Sequence, residues 1–98
     1  MISVQVRSGV GQVLQSENGP GVDEFFRAAT ASYPLLAHIV PWSDTAFNRS
    51  QAGALLVELD RYENDEAVNP GGNRFDWLRD LCREANAEPH RMLWFVGD

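Results

Sequence analysis

The chain has 98 residues, of which 44% are hydrophobic, which is enough material for one hydrophobic core and not for two. Fourteen acidic residues against eight arginines, with no lysine, give a net charge of −6 at pH 7 and leave no cluster of bases of the kind that binds a phosphate backbone. Cys82 is the single cysteine, which excludes an internal disulfide and a multi-cysteine zinc site, and no apolar run approaches the roughly 20 residues that span a bilayer.

The N-terminus and the distribution of charge predict a compartment and a kind of partner. The opening residues "MISVQVRSG" lack the basic start and apolar core of a signal peptide. We therefore expect one domain over residues 1–98 in the cytoplasm, with neither a membrane nor a nucleic acid as its partner. Residues 50–98 hold ten acids and five arginines, against four acids and three arginines in residues 1–49. This concentration of negative charge favours a basic protein partner.

The first residues carry the pattern of a β-hairpin. Ile2, Val4 and Val6 alternate with polar residues, which is the period-two pattern of a half-buried strand. A turn at residues 8–9 and the segment "VGQVLQ" at residues 10–15 predict its partner strand.

Two helices and a strand are predicted in the middle of the chain. After the loop "ENGPG", apolar residues spaced for one helix face predict a helix over residues 22–33 that Pro34 ends. The apolar segment "LLAHIV" at residues 35–40 predicts a third strand, and a second amphipathic helix follows the polar segment 43–48. The two apolar faces consist of Val22, Phe25, Phe26, Ala29 and Tyr33, and of Ala52, Leu55, Leu56, Leu59 and Tyr62.

The last third of the chain completes the fold prediction. Residues 64–73 combine acids with Asn-Pro-Gly-Gly and predict an exposed loop. A third helix over about residues 74–87 carries Cys82 on its apolar face, where a small buried hydrophobe is expected. A last strand follows at residues 92–96, "MLWFV". The order β-β-α-β-α-α-β predicts a two-layer α+β domain, a mainly antiparallel sheet with helices packed on it.

The last strand raises a question about the back of the sheet. A strand that is apolar on both sides is usually central and covered on both faces, yet the first two strands offer one apolar face each. Either a helix crosses to the back, or some of Leu93, Trp94 and Phe95 stay exposed and contact another chain, for which a homodimer through this strand is one interpretation.

The polar segment 43–48 has a structural and a functional interpretation. Asn48 and Gln51 have the spacing of a capping box, and Asp44 can close a turn, so the segment is favoured as the junction before a helix. In the alternative, Trp42, Asp44 and Asn48 form a recognition patch with an aromatic anchor.

The two histidines offer a weaker route to chemistry. His38 with Asp44 and Asn48 could serve a small enzyme or ligand-binding domain, but the strand pattern favours a packed, hydrogen-bonded His38. His90 has no partner that its spacing demands. Neither a catalytic triad motif nor a phosphate-binding glycine loop occurs, and we predict no catalytic residue, no metal and no cofactor.

A run of acids lies in the second helix and just after it. Its members are Glu58, Asp60, Glu63, Asp65 and Glu66. Such a run is usually a solvated helix end. It can also form a carboxylate surface that steers association with a basic partner.

Three short segments resemble those of a family of small uncharacterised proteins from high-GC, actinobacterial-type bacteria, to which no activity is assigned. They are the end of the predicted third strand just after His38, "DTAFN" at residues 44–48, and "WFVGD" at residues 94–98. The resemblance implies a single domain and nothing about mechanism. We therefore expect a non-enzymatic acidic protein-binding module, such as an immunity or antitoxin-like inhibitor of a basic partner.

Overall fold

The fold is a four-stranded antiparallel sheet with helices packed on one face. The structure, a computed structural model, describes residues 2–19, 21–28, 30–65 and 75–97. The strands are β1 (Ser3–Arg7), β2 (Val13–Glu17), β3 (Thr45–Phe47) and β4 (Met92–Val96), in the spatial order β2-β1-β4-β3. The helices are two 3₁₀ helices (Val22–Arg27 and Leu36–His38), α1 (Arg49–Asn64) and α2 (Asp76–Ala87). The predicted α+β class is confirmed.

The core lies between the inner face of the sheet and the helices. Antiparallel pairing sets Val4 opposite Phe95 and Val6 opposite Leu93, and all four side chains are buried. Their neighbours in the chain point the other way, because successive side chains of a strand alternate between faces. Residues from α1, α2 and both 3₁₀ helices complete one continuous cluster; they include Leu55, Leu59, Leu78, Leu81, Phe25 and Leu36.

β4 occupies a central position in this sheet. It pairs with β1 on one side and β3 on the other, so neither of its edges is free to pair with a strand of a second copy. Leu93 and Phe95 are buried beneath the helices, while Met92, Trp94 and Val96 are half-buried on the outer face. Arg7 covers the Trp94 ring at 4.4 Å from its centroid. The outer face of β4 is therefore only partly covered.

The third strand lies later in the chain than the sequence pattern predicts. Leu36–His38, within the predicted strand, is a 3₁₀ helix, and the strand is Thr45–Phe47, inside the polar segment. Leu36 and Ile39, three residues apart, are both buried, which suits a turn of 3₁₀ helix better than alternation. Phe47 faces the core opposite Leu93. The expectation that His38 packs in a strand was wrong, because His38 is exposed at the end of this helix.

The first helix is also shorter than predicted. Val22–Arg27 forms a 3₁₀ helix, and Ala28 adopts extended backbone (ψ 149°) while its N–H donates to the carbonyl of Phe25. Phe25 is buried and Phe26 is half-buried, so the adjacent phenylalanines do not share one buried face. The predicted loop at residues 64–73 lies mostly outside the described residues, as do Ala29 and Glu66.

α1 and α2 follow the predicted pattern closely and pack against each other. α1 begins one residue after Asn48, and α2 begins at Asp76 and ends at Ala87. Cys82 is buried on α2, as its apolar position predicts. Across the described ranges, no helix has the length and apolar character that crossing a membrane requires.

Candidate functional site

The polar residues around the start of α1 are used by nearby backbone. The Asn48 side chain accepts a hydrogen bond from the Gln51 amide at 2.9 Å, and the Gln51 side chain accepts one from the Asn48 amide at 2.9 Å. This confirms the predicted capping box. The Thr45 hydroxyl donates to the carbonyl of His38 at 3.1 Å. The segment is thus a rigid junction between β3 and α1.

Asp44 ties the loop before β3 to the end of β4. Its Oδ1 accepts a hydrogen bond from the Gly97 amide at 3.0 Å. Gly97 lies so close to the loop that a Cβ at this position would overlap the backbone of Ser43 and Pro41. Only glycine therefore allows the chain to pass here without displacing the loop. The result is that Trp42, between Pro41 and Ser43, is presented from a fixed backbone.

Trp42 is the most exposed aromatic residue of this region, with 63% of its surface accessible. Its ring packs edge-to-face on Phe26, with centroids 5.1 Å apart and planes at 70°. The Arg27 guanidinium lies 5.4 Å from the centroid of the same Phe26 ring. Trp42 is therefore supported on one side by Phe26 and open to solvent on the other.

Arg27, which contacts Phe26, also lines a cleft of about 270 Å³. The cleft is lined by Glu24, Arg27, Ala28, Ser32, Tyr33, Tyr62 and Asp65. The Tyr33 hydroxyl lies 3.5 Å from Asp65 Oδ2. Burial and the Asp65 carboxylate raise the pKa of Tyr33, so its hydroxyl stays protonated at neutral pH. We call Trp42, Phe26, Arg27 and this cleft together the aromatic cleft surface.

The charges at the cleft nearly balance. Glu24 and Asp65 contribute two carboxylates and Arg27 one guanidinium. A second guanidinium, that of Arg61, lies 5.5 Å from the Tyr33 ring centroid and donates to the carbonyl of Ser32 at 2.8 Å. An aromatic wall of the cleft thus already receives a cation from within the chain.

Glu58, predicted as part of an acidic surface, lies in the interior with 5% of its surface accessible. Its Oε1 accepts hydrogen bonds from the amides of Leu35 and Leu36 at 3.0 and 3.1 Å. These amides begin the second 3₁₀ helix and have no sheet partner. The carboxylate therefore stabilises the segment that the sequence pattern predicted as a strand, and the expectation of an exposed Glu58 was wrong.

Glu63 is buried as well, with 4% of its surface accessible. Its Oε1 lies 2.6 Å from Arg79 Nη1, which makes an ion pair with one partner in the interior. Arg79 also contacts Asp60 and Asp76. Burial opposes the charge of Arg79, but the contacts with Asp60 and Glu63 outweigh this and raise its pKa.

The acidic run therefore divides between interior and surface. Glu58 and Glu63 face inward, Asp60 is exposed, and Asp65 caps the end of α1 and lines the cleft. Glu66 lies outside the described residues. Of the predicted site residues, the aromatic cleft surface includes Trp42 and Asp65.

The structure gives little support for an alternative site formed by His38, Asp44 and Asn48. Asp44 and Asn48 are each engaged with a backbone amide, and the aromatic cleft surface is lined by other residues. Within the described ranges no group of three His, Cys, Asp or Glu side chains could hold a metal ion. Burial raises the pKa of Cys82 to about 12, so its thiol is protonated and unreactive near neutral pH.

The sequence reasoning missed Glu24 and Arg27 as surface residues, whereas Tyr33 lines the cleft but is buried, with 7% of its surface accessible, as its place in the apolar pattern predicts. It placed Phe26 and Tyr33 on the buried face of one helix. A signal was present in the adjacent Phe25 and Phe26, since consecutive residues of a helix cannot both face the core squarely.

Comparison with known proteins gives no independent guide to this surface. No protein-family model matches the chain, and neither the curated proteins nor the solved structures yield a match.

Proposed function

We propose that the protein is a non-enzymatic, acidic protein-binding module that engages a basic partner through the aromatic cleft surface, in the manner of an immunity or antitoxin-like inhibitor. The observation that carries the proposal is the position of Trp42. It is 63% accessible, rests on Phe26, and through Phe26 and Arg27 adjoins a cleft that Glu24 and Asp65 flank.

Trp42 has the properties of an interface anchor. Tryptophan is among the residues that contribute most binding energy at protein interfaces. Contact with Phe26 and the hydrogen bond from the Gly97 amide to Asp44 hold the ring and its loop before binding. Because less conformational freedom is lost on association, a preordered anchor of this kind increases affinity.

The cleft suits a side chain of a partner better than a free ligand. Its volume of about 270 Å³ is below the roughly 300 to 1,000 Å³ typical of small-molecule sites. Tyr33 and Tyr62, each 7% accessible, form part of its wall, and Glu24 and Asp65 supply carboxylates beside the Arg27 guanidinium. Arginine and lysine interact favourably with both kinds of group.

The net charge supports the same class of partner. At −6 the chain attracts basic proteins over distances of about a Debye length, roughly 8 Å at physiological salt. Because Glu58 and Glu63 are internal, exposed acids such as Asp23, Glu24 and Asp44 provide the attraction near Trp42. This attraction acts on the association rate more than on the dissociation rate.

Affinity capture with paired variants tests the proposal. The wild-type protein, Trp42→Ala and Val57→Ala are used as baits in lysate of the native host at low and high salt, and bound proteins are identified by mass spectrometry. Val57 is a matched control, because it is 61% accessible but lies on α1 away from the cleft. We expect one basic protein on wild-type and Val57→Ala beads, and its loss from Trp42→Ala beads.

The affinity of the purified pair then provides the quantitative test. Loss of an anchor worth about 2 kcal/mol weakens binding about 30-fold in Trp42→Ala, measured by calorimetry. Glu24→Gln should lower the association rate and its salt dependence with a smaller change in dissociation rate. Empty beads with every bait, or equal binding by wild type and Trp42→Ala, would contradict the proposal.

A further inference from the structure

β2 leaves one edge of the sheet open. In the described part of the chain it pairs with β1 alone, and all five of its residues are exposed. Its outer edge therefore presents backbone N–H and C=O groups to solvent, as an edge strand does. β3, at the opposite edge, has only three residues, one of which is buried.

Apart from one β-bulge, the β2 edge lacks the features that usually prevent a strand from pairing with another chain. Proline and lysine are absent from Val13–Glu17, and Glu17 is its only charge. Val13 and Leu14 are exposed, as is Val10 in the turn before them. Val6 pairs with Gln15 and the next residue, Arg7, pairs with Val13, so the pairing skips Leu14 and β2 carries a β-bulge there. From Gln15 to Glu17 the pairing is regular, and this part of β2 is able to accept a further strand.

β2 also extends beyond the helices that cover its neighbour. Gln15 and Glu17 lie opposite Val6 and Val4, so they share the helix side of the sheet with these residues. Val4 and Val6 are buried, but Gln15 and Glu17 are exposed. A groove of about 360 Å³ opens between β2 and α2. It is lined by Gln15, Asp80, Arg83, Glu84 and Ala87.

The charge of this groove selects its occupant. Asp80 pairs with Arg83 at 3.3 Å, and Arg91 is shared between Glu84 and Glu88. With Glu17 at the strand end, four carboxylates therefore face two guanidiniums. A second copy of this chain would bring the same acids together. A strand with basic side chains on the helix side would instead neutralise them.

We propose that the β2 edge binds an extended strand of a partner protein, whose side chains alternate between basic residues facing α2 and apolar residues facing the outer side near Val13. The strand would extend the sheet to five strands by main-chain hydrogen bonds to β2. This surface is separate from the aromatic cleft surface, so the proposal does not depend on the role proposed for Trp42.

Synthetic peptides test the main-chain and charge requirements directly. The probe is a ten-residue peptide in which arginine and valine alternate. One control replaces every arginine with glutamate, and the other is the arginine peptide with alternate amides N-methylated. Fluorescence anisotropy measures affinity, and hydrogen exchange locates the bound peptide. We expect saturable binding of the arginine peptide alone, with increased protection confined to Val13–Glu17 and the adjoining β1.

Protein variants separate the two surfaces. The double variant Asp80→Asn with Glu84→Gln should weaken peptide binding about tenfold, equivalent to roughly 1.4 kcal/mol. Trp42→Ala and Glu24→Gln should leave it unchanged, since they alter only the aromatic cleft surface. The proposal is overturned if the N-methylated peptide binds equally well, if no peptide binds saturably, or if sedimentation shows a dimer whose β2 is protected without peptide.

Discussion

The loop residues on either side of β3 (42–44 and 48) and the second half of α1 are both rich in polar side chains, but these side chains go in opposite directions. In the loop, Asp44 and Asn48 remain exposed and bind backbone amides close to the surface. In α1, Glu58 and Glu63 enter the interior and bind groups from other elements. The difference shows that the local density of polar residues does not determine exposure; the presence of a distant partner does.

Substitutions in the two regions should therefore differ in their effect on stability. Substitutions in α1 that remove a buried partner should destabilise the fold strongly, because the remaining group is left unpaired in the interior. Substitutions in the loop should cost little stability, because water can replace the lost contact.

The largest effect is expected for Arg79→Ala. This change leaves Glu63 as an unpaired carboxylate in the interior, which costs about 3 to 5 kcal/mol. Urea unfolding followed by circular dichroism measures the loss. Arg83→Ala on the same helix is the control, because Arg83 pairs at the surface with Asp80, and its loss should cost under about 1 kcal/mol.

A second variant separates the cost of an unpaired charge from the value of the pair. Arg79→Met combined with Glu63→Leu removes both charges and should recover most of the stability lost in Arg79→Ala. If the double variant is as unstable as the single one, the buried charge of Glu63 is not the reason for the loss.

Glu58→Ala should have the next largest effect. It leaves the amides of Leu35 and Leu36 without their acceptor, at a cost of about 3 kcal/mol. Glu58→Gln retains one acceptor oxygen and should lose about half as much. Val57→Ala, the exposed neighbour, should unfold at nearly the wild-type urea concentration. Equal midpoints for Glu58→Ala and Val57→Ala would mean that the carboxylate does not stabilise the second 3₁₀ helix.

Asn48→Ala should have the smallest effect of the series. It removes the N-cap of α1, where such changes cost about 1 kcal/mol. Asn48→Asp keeps an acceptor oxygen and should be close to neutral. Ser50→Ala serves as the control, since the capping box does not use Ser50. A loss in Asn48→Ala that matches Glu58→Ala would remove the distinction between loop and helix.

Much of the architecture was predictable because it depends on local periodicity. The alternation of Ile2, Val4 and Val6 identified β1, and the spacing of apolar residues identified α1 and α2. The capping box at Asn48 was predictable because both of its hydrogen bonds lie within four residues. The α+β class followed from these elements.

The wrong predictions concern segments whose structure depends on contacts with distant residues. The apolar segment at residues 35–40 has the composition of a strand, but Glu58, more than twenty residues away, binds the Leu35 and Leu36 amides. The strand forms instead at Thr45–Phe47, where Phe47 reaches the core beside β4. A short apolar segment can adopt either structure, and its long-range partner decides between them.

By itself the sequence determined the α+β class, the amphipathic faces of α1 and α2, and the burial of Cys82, because these follow from the periods of helix and strand. Only the tertiary structure decided that Glu58 and Glu63 turn inward, that the strand order is β2-β1-β4-β3, and that Trp42 packs on Phe26, the neighbour of Arg27 in the cleft. Each of these features depends on contacts between residues that are distant in the chain. The free energy of such contacts cannot be inferred from any one segment.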